Sequence, residues 1–385
     1  MIAIAAVVIA LPGFIFAVEC VFGLRPLRRP ELPLGDVPAF AVLVPAHNEA
    51  AAIAATVAAL RSQLRSDDRL LVVADNCSDA TADIARLAGA DVVERHDPAR
   101  RGKGYALAYG RQALAVDAPP TIVIIDADCR VEPGGLARLA AEAFYGQTAV
   151  QAAYLLEQPS QADELVALSS FAFMVRNLVR QRGLARLGAA ALLQGTGMAF
   201  PWRIFSAAPL ATDDIVEDLN LGIALLHQGH RITWIENARV NSLPASRKAT
   251  IAQRTRWEHG FVVSALTSVP RLLVTAILRR RLDMALFAID LLVPPLALFA
   301  MLAVAAWVAA GLFAVTGGTA APLAVLTSSL VVMVTGVLLA WVSEGRRVLS
   351  LKTLVKVPVY LLWKLPIYAR LLVRRQHTWV RTERD

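Results

Sequence analysis

Residues 40–44, FAVLV, and residues 70–74, LLVVA, decide the fold of this chain of 385 residues. Each is a short apolar run that ends in a polar, turn-forming cluster, PAHNE at 45–49 and DNCSD at 75–79. Short continuous apolar runs are typical of strands that are buried on both faces of a parallel sheet. An alanine-rich, helix-like stretch at 50–65 separates the two runs, so the pattern predicts a β-α-β unit.

The same alternation continues along the chain. Further helices are predicted at 79–88 and 104–115, and further strands at 91–94 and 121–126. This order predicts an α/β domain with a mostly parallel sheet and helices on both faces. Ligands of such sheets bind beyond the carboxyl ends of the strands, so we expect the functional residues directly after the strands.

Part of the chain is predicted to lie in lipid, because 56% of its residues are hydrophobic against about 45–50% in ordinary globular chains. Arg25, Arg28 and Arg29 follow the first apolar segment, an order that indicates an uncleaved anchor with its N-terminus outside. The predicted segments are an N-terminal transmembrane anchor at 1–24, the α/β domain at 37–260, an interfacial helix at 261–282, transmembrane helices at 284–314 and 321–343, and a cytoplasmic tail at 374–385.

Two segments leave alternatives open. Residues 349–373 are apolar but are interrupted by Lys352, Lys356 and Lys364. They are therefore predicted to be an interfacial or re-entrant segment, with a further crossing as the alternative. Residues 161–187 are apolar with interspersed arginines, which fits either an interfacial helix or an amphipathic core helix.

Charge and cysteine content exclude several classes of protein. The net charge of +8 fits either nucleic acid or an anionic membrane as partner, but the basic clusters border the apolar segments, which favours membrane lipids and excludes nucleic acid. Cys20, Cys77 and Cys129 are widely spaced and form no CxxC pair. A disulfide scaffold and a thiolate zinc site are therefore excluded.

The strand predicted at 121–126 ends in an acidic cluster, Asp126-Ala127-Asp128. Two carboxylates at the end of a strand can turn toward one point, where oxygen ligands suit a hard cation such as Mg²⁺ or Mn²⁺. Lys103 lies in the basic loop RRGKG at 100–104, which fits either a phosphate-facing loop or a solvated run of charges.

Three later motifs carry little information singly. They are GTG at 195–197, ED at 217–218 ahead of an apolar run, and QRTRW at 253–257. An acidic pair that opens a helix often only compensates the helix dipole. An arginine beside a tryptophan also fits an anchor at the membrane interface.

Taken in order, these motifs resemble those of the membrane-bound family 2 glycosyltransferases, the group that contains cellulose, chitin and hyaluronan synthases. The resemblance covers the α/β domain and the membrane layout. It rests on the series Val44-Pro45-Ala46-His47-Asn48-Glu49, Asp75, Lys103, Asp126-x-Asp128, Glu217-Asp218 and Gln253-x-x-Arg256-Trp257. It implies a GT-A type nucleotide-sugar-binding domain joined to α-helical transmembrane segments.

The resemblance also implies a role for each matching residue. Asp218, beside Glu217, would be the general base that takes the proton of the acceptor hydroxyl. Lys103 and Arg256 would add positive charge at the donor phosphates. The donor would contact Pro45, Ala46, His47, Glu49, Asp75, Lys103, Asp126 and Arg256; the divalent metal, Mg²⁺ or Mn²⁺, would be held by Asp128 and Asp126; and the acceptor would contact Gly195, Thr196, Gly197, Gln253 and Trp257.

The activity that follows is inverting, metal-dependent transfer of a hexose or N-acetylhexosamine from a nucleoside diphosphate sugar, with a UDP-sugar expected. The acceptor would be a glycan or lipid-linked molecule at the inner leaflet, and the product an exopolysaccharide or other envelope glycan. The protein would be a multi-pass inner-membrane protein with a cytoplasmic catalytic domain, and synthase or export proteins are possible partners. Val216 stands where many relatives have threonine, and Thr196 where they often have asparagine, which leaves the acceptor open.

Two alternative functions remain. The first is single transfer to a lipid, such as a polyprenyl phosphate, a ceramide-like lipid or a hopanoid. The second is a non-catalytic scaffold that binds a nucleotide sugar within a synthase complex. The presence of every expected catalytic residue argues against the scaffold, whereas QxxRW does not decide between processive and single transfer.

Overall fold

The computed structural model describes residues 2–28, 32–33, 36–157, 163–244 and 247–373, and the predicted tail at 374–385 lies outside them. The strands are β1 (Ala41–Ala46), β2 (Arg69–Asp75), β3 (Asp91–Arg95), β4 (Thr121–Ile124), β5 (Cys129–Val131), β6 (Ala149–Leu156), β7 (Met198–Pro201) and β8 (Ile232–Ser242). The helices are α1 (Ile2–Gly23), α2 (Ile53–Arg61), α3 (Thr81–Leu87), α4 (Lys103–Leu114), α5 (Gly135–Gly146), α6 (Glu164–Met174), α7 (Gln181–Leu187), α8 (Trp202–Ala207), α9 (Glu217–His227), α10 (Arg247–Leu278), α11 (Leu282–Asp290), α12 (Leu296–Val315), α13 (Ala321–Ser343), α14 (Leu351–Leu354) and α15 (Val357–Val373). A π-helical turn, Val175–Arg180, joins α6 to α7, and short 3₁₀ turns lie at Ala115–Asp117 and Gly345–Arg347.

The described strands form one sheet in the order β3-β2-β1-β4-β7-β6-β8-β5. The first four are parallel to one another, as are β6 and β8, whereas β7 is antiparallel to both of its neighbours and β5 is antiparallel to β8. The α/β class with a mostly parallel sheet is thus confirmed, with antiparallel pairs in the half of the sheet that follows residue 126.

Helices cover both faces of the sheet, and β1 shows why its sequence is continuously apolar. Val42 and Val44 pack into a core with α2 and α5, whereas Leu43 points to the opposite face and packs with α4. All three side chains are fully buried. Alternate residues of a strand point to opposite faces, so a strand covered on both sides is apolar at every position.

Some predicted boundaries are displaced. The helix predicted at 50–65 begins at Ile53, because a turn precedes it in which the backbone N–H groups of Ala52 and Ile53 donate to Glu49 O. The strand predicted at 121–126 ends at Ile124, and Asp126 lies in a turn closed by the hydrogen bond from Cys129 N to Asp126 O, 3.0 Å. This turn carries the acidic cluster out of the sheet.

Four helical segments are long and apolar enough to span a membrane: Ile2–Gly23, Gln253–Leu278, Leu296–Val315 and Ala321–Ser343. The segment predicted as one span at 284–314 is divided, with α11 ending at Asp290 and α12 beginning at Leu296. The break contains Pro294 and Pro295. Proline interrupts a helix because it lacks an amide hydrogen and disfavours the helical conformation of the residue before it.

Helix α10 runs unbroken through residue 261, where the sequence predicted a domain boundary, and both of its ends contact the α/β domain. Near its start, Arg254 Nε donates to Ser169 Oγ at 3.1 Å. Just after its end, Arg279 Nη1 donates to His227 O at 2.6 Å, and Arg281 Nη2 donates to His230 O at 2.8 Å. The helix therefore lies along the domain over its length.

The segment predicted at 161–187 packs inside the protein in its described part, so the core alternative is the one observed. Arg180, in the π-helical turn, pairs with Glu19 of α1 at 2.6 Å and with Asp290 of α11 at 2.5 Å. Arg182 pairs with Glu236 and, at 2.7 Å, with Glu344. Carboxylates from the domain and from three apolar helices or their ends thus neutralise these arginines.

Helix α15, within the predicted segment 349–373, packs against α10. The buried Lys364 ammonium pairs with Glu258 of α10, which also accepts a hydrogen bond from Tyr368 Oη at 2.5 Å. His259 Nε2 lies 2.8 Å from Ile367 O. The lysine that interrupts this apolar stretch therefore has a carboxylate partner within the protein.

Candidate active site

A cavity of about 280 Å³ opens where β1, β2 and β4 end, at the edge of the sheet at which functional residues were expected. Most of the predicted site residues line this cavity. They are Pro45, Ala46, His47, Glu49, Asp75, Lys103, Asp126, Asp128, Gly195, Glu217, Asp218, Gln253, Arg256 and Trp257. Residues that are more than 200 positions apart in the sequence meet here because the strands, α9 and α10 converge.

Thr196 and Gly197 lie behind this wall. Thr196 is fully buried; its Oγ1 accepts a hydrogen bond from Asp126 N at 3.1 Å, and its carbonyl accepts one from Gln151 Nε2 at 2.9 Å. Gly197 has φ +65°, and a Cβ there would lie 2.8 Å from Val240 Cγ2. The structure therefore places these two predicted acceptor residues as supports of the turn that presents Gly195.

The loops that follow β1 and β2 are tied to each other. His47 Nδ1 lies 2.7 Å from Asp75 O, and Glu49 N donates to Thr81 Oγ1 at 2.8 Å. Asn48 has φ 54°, a left-handed conformation that asparagine tolerates better than most residues. These contacts hold the loop 45–49 against the mouth of the sheet.

Asp75 at the end of β2 is buried, and its carboxylate is oriented by an arginine that the sequence analysis did not identify. Arg95 Nη1 donates to Asp75 Oδ1 at 2.6 Å, and Asn76 Nδ2 donates to the same oxygen at 3.0 Å. Arg95 ends β3 and is held over the ring of Tyr105, 5.4 Å from its centroid. The sequence could have indicated Arg95 through its position at the carboxyl end of a predicted strand, where ligands of such sheets bind.

Asp126 and Asp128 form the acidic end of the cavity together with Cys129, and one ligand atom from each residue lies within 4.8 Å of the others. Burial raises the pKa of the Cys129 thiol well above its usual range, and the neighbouring Asp128 and Asp126 carboxylates raise it further. The thiol is therefore protonated at neutral pH and is no ligand for a hard cation. The two carboxylates supply the oxygen ligands that Mg²⁺ or Mn²⁺ takes.

Lys103 connects the turn that carries Asp126 to the glycine turn at Gly195. It is the first residue of α4, and its ammonium pairs with Asp126 and donates to Gly195 O at 2.8 Å. Burial acts to lower the pKa of Lys103, but the negative charges of Asp126, Glu217 and Asp218 outweigh it and leave the pKa raised. The side chain is therefore a permanent positive charge at the centre of the cavity.

Glu217 and Asp218 open α9 and face this charge. Burial raises the pKa of Glu217 to about 8, with a further contribution from Asp218. Burial also raises the pKa of Asp218, an effect that the N–H of Leu219 and the charges of Lys103 and Arg176 partly offset. A carboxylate held in a cavity with a raised pKa is suited to accept a proton near neutral pH.

The motif QRTRW begins the apolar part of α10, and its members point in different directions. Trp257 stacks on Phe173 of α6, with centroids 6.0 Å apart and an interplanar angle of 29°. Arg254 lies over both rings, 4.9 Å from Phe173 and 5.1 Å from Trp257. Arg254 thus fixes the tryptophan, whereas Gln253 and Arg256 line the cavity.

The sequence analysis missed the part of the cavity that α6 and the π-helical turn form. Phe173, Arg176 and Asn177 line it, together with Phe261 of α10. These residues belong to a stretch that carries no motif and reads only as apolar with arginines. A π-helical turn within a helix often accompanies a functional site, but single-sequence periodicity does not reveal it.

The cavity therefore combines an oxygen-ligand pair for a hard cation, a fixed ammonium beside it, and a carboxylate with a raised pKa. Such a set can bind a metal diphosphate and take a proton from a hydroxyl placed next to it.

Several solved structures resemble this chain. The chain is similar in structure to the mannosyltransferase PcManGT from Pyrobaculum calidifontis, solved in complex with GDP-Man and Mn²⁺, with 18% identity and a TM-score of 0.61 over 97% of this chain and 99% of that one. It also aligns with glucosyl-3-phosphoglycerate synthase from Mycobacterium tuberculosis, solved with Mn²⁺, UDP and phosphoglyceric acid, with 22% identity and a TM-score of 0.42 over 60% of this chain and 84% of that one. No curated protein sequence matches the chain.

The first of these likenesses shows a shared fold, the GT-A type with apolar helices, and it extends over nearly the whole chain. The sequence profile described as "Glycosyltransferase like family 2" matches residues 38–260, which is more than half of the chain and includes every predicted site residue. The chain therefore belongs to glycosyltransferase family 2.

Proposed function

We propose that this protein is an inverting, metal-dependent glycosyltransferase that uses a nucleoside diphosphate sugar. The observation that carries the proposal is the meeting of Lys103, the Asp126 and Asp128 pair and Asp218 in one cavity. A binding scaffold would need the first three groups but has no use for a partly buried carboxylate with a raised pKa beside them. This carboxylate favours catalysis over the non-catalytic alternative.

The acidic pair fits a divalent cation, and PcManGT was solved with Mn²⁺ and GDP-Man. We assign Asp128 and Asp126 as its ligands, with Mg²⁺ or Mn²⁺ as the ion. Once bound, the ion offsets negative charge on the diphosphate leaving group. Lys103 and Arg256 add positive charge on the same side, and the loop 45–49 with Asp75 holds the nucleoside.

The transfer is a single displacement at the anomeric carbon. Asp218 accepts the proton of the acceptor hydroxyl. At the same time, the oxygen of that hydroxyl forms the new bond to the anomeric carbon. The bond from that carbon to the diphosphate oxygen breaks, and its electron pair leaves with the nucleoside diphosphate. One displacement inverts the carbon, and no covalent sugar intermediate forms. Trp257 and the turn at Gly195 border the space that remains for the acceptor.

We further propose that the catalytic domain is cytoplasmic and rests on the inner leaflet of a bacterial membrane, with α1, α12 and α13 as the spans. Helix α10 qualifies as a span by composition, yet its two ends both hydrogen-bond to the catalytic domain. At 1.5 Å per residue its 32 residues extend about 48 Å, so a crossing would carry one end to the other side.

The exposed apolar side chains of α10 support an interfacial position. Val263, Leu266, Val274 and Ile277 are all exposed and recur at helical spacing on one side. A helix with one apolar face open and the other packed on a domain lies in the membrane interface. The donor is then taken from the cytoplasm and the acceptor from the leaflet or a growing glycan, with export or synthase proteins as partners.

The test is release of nucleoside diphosphate by the purified protein in lipid nanodiscs, with bacterial lipid extract as the acceptor source. The donor panel contains UDP- and GDP-linked hexoses and N-acetylhexosamines, with Mg²⁺, Mn²⁺ or chelator. We expect metal-dependent release for one donor and an inverted anomeric configuration in the product.

Asp218→Asn should slow release at least about 100-fold while donor affinity changes less than about threefold. The matched control is Asp213→Asn, an exposed aspartate five positions earlier, which should behave as the wild type. Donor binding without release under all these conditions, with Asp218→Asn indistinguishable from wild type, would instead establish a scaffold.

A further inference from the structure

Arg176 has no assigned role, yet it lines the cavity beside the proposed base. Its guanidinium lies over the ring of Phe261, with Cζ 4.7 Å from the centroid. Within the described part of the chain it makes no hydrogen bond and no ion pair. A guanidinium carries five donors and remains charged, so one that faces a cavity without an acceptor is suited to an anionic ligand.

The neighbouring arginines show that this is unusual for the segment. Arg180 and Arg182, four and six positions later, each pair with two carboxylates. Protein carboxylates therefore neutralise the two buried arginines of this segment, whereas Arg176 lines the cavity.

The charges around Arg176 place it on the acceptor side. Burial lowers its pKa to about 10, Arg180 and Arg254 lower it, and Asp290 and Asp218 raise it, so it stays protonated at neutral pH. Asp218 is one of these charges, and Arg176 in turn lowers the pKa of Asp218, so an anion at Arg176 lies near the proposed base.

Apolar side chains line part of the cavity that contains Arg176, and they adjoin the apolar helices. Phe173, Leu192, Leu193 and Phe261 belong to this lining. The π-helical turn that carries it is bound to α1, a candidate span, through Arg180 and Glu19. Phe261 belongs to α10, the helix with the exposed apolar face. An acceptor held here has one charged group among aliphatic and aromatic walls.

We propose that the acceptor is an anionic lipid whose phosphate binds Arg176 while a hydroxyl of its headgroup reaches Asp218. This inference rests on the proposed glycosyltransferase function and names its acceptor class. The ammonium of Lys103 serves the donor, so the donor diphosphate and the lipid phosphate have separate cationic partners. An acidic glycan, the rival class, would place its carboxylate at Arg176 but would make no use of the apolar walls.

The test uses radiolabelled dodecyl phosphate as the probe and full-length protein in phosphatidylcholine nanodiscs. The donor half is first filled with Mn²⁺ and the nucleoside diphosphate of the donor found above, so that the probe reports the acceptor half. Unlabelled competitors are dodecyl phosphate, dodecanol, inorganic phosphate and an oligosaccharide that ends in glucuronic acid. The proteins are wild type, Arg176→Met, Arg176→Lys and, as a matched control, the exposed Arg203→Met.

We expect Arg176→Met to bind the probe at least about 10-fold more weakly, with Arg176→Lys intermediate and Arg203→Met unchanged. Donor affinity should be unchanged in all of them, which also shows that the variants are folded. Dodecyl phosphate should compete much better than dodecanol or inorganic phosphate.

The contrary outcomes are distinct. Equal probe affinity in Arg176→Met, or equal competition by dodecanol, would overturn the role of the arginine. Equal competition by inorganic phosphate would remove the lipid, and stronger Arg176-dependent competition by the acidic oligosaccharide would replace it with a glycan. Each of these would leave the glycosyltransferase proposal standing as long as a donor binds, whereas absence of any bound donor would refute both.

Discussion

Lys103→Met removes the positive charge that faces the proposed base. A Cβ atom added to Gly195 would lie 3.3 Å from Lys103 Nζ and 3.4 Å from Asp218 Oδ2. The distance between these two atoms is therefore no more than about 7 Å. Asp218 must be deprotonated to act as a base, and Lys103 favours its deprotonated form. Without the ammonium, the pKa of Asp218 rises further.

The size of this effect follows from the separation. Two unit charges no more than about 7 Å apart interact by at least about 2.4 kcal/mol at an effective dielectric constant of about 20. Each pH unit corresponds to about 1.4 kcal/mol, so the acidic limb of the pH-rate profile should move upward by at least about 1.7 pH units. Turnover at saturating donor is measured from pH 5.5 to 9 by release of nucleoside diphosphate.

Lys103→Arg, which keeps the charge, is the control and should keep the wild-type limb even if its overall rate is lower. A general loss of donor binding lowers the whole profile without displacing it, so the position of the limb separates the two effects. An acidic limb at the wild-type pH in Lys103→Met would refute the reasoning that Lys103 sets the protonation of Asp218.

Two further substitutions test the metal pair and the buried ion network. Asp128→Asn should raise the Mn²⁺ concentration that half-saturates donor binding at least about 10-fold in calorimetric titrations, whereas Cys129→Ser should leave it unchanged; equal effects would contradict the assignment of ligands. Arg180→Met leaves Glu19 and Asp290 buried without their cation and should destabilise the protein by about 3–5 kcal/mol in thermal unfolding, with the exposed Arg203→Met as the control that loses little.

The sequence predicted the first half of the sheet well because its physics is local. The runs at 40–44 and 70–74 are apolar at every position and end in turn-forming clusters, a pattern typical of short strands covered on both faces. The polar clusters after them fell at the mouth of the cavity for the same reason. Strands β5 to β8 gave no such signal, since β5 and β7 are only three and four residues long and depend on pairing with distant strands.

The sequence predicted those residues of the candidate site that belong to recognisable motifs. Asp75, Lys103 and Asp218 follow or open regular elements and therefore converge once the topology is known. Arg95 and Arg176 were missed because their importance comes from tertiary neighbours: Asp75 for the first, the cavity for the second. Thr196 was assigned to the acceptor from its place in a glycine turn, but which face of the turn points inward depends on backbone angles that the sequence does not state.

The path of α10 bears on how the enzyme can be divided. The part of the chain that carries the family's sequence pattern ends at residue 260, in the middle of this helix. A soluble fragment cut there would lose Phe261 from the cavity wall and the hydrogen bonds of Arg279 and Arg281, and its Arg180 would face neither Glu19 nor Asp290. These contacts join the family 2 domain to the apolar helices, and exchange of the apolar helices between related enzymes must respect α10 as a whole.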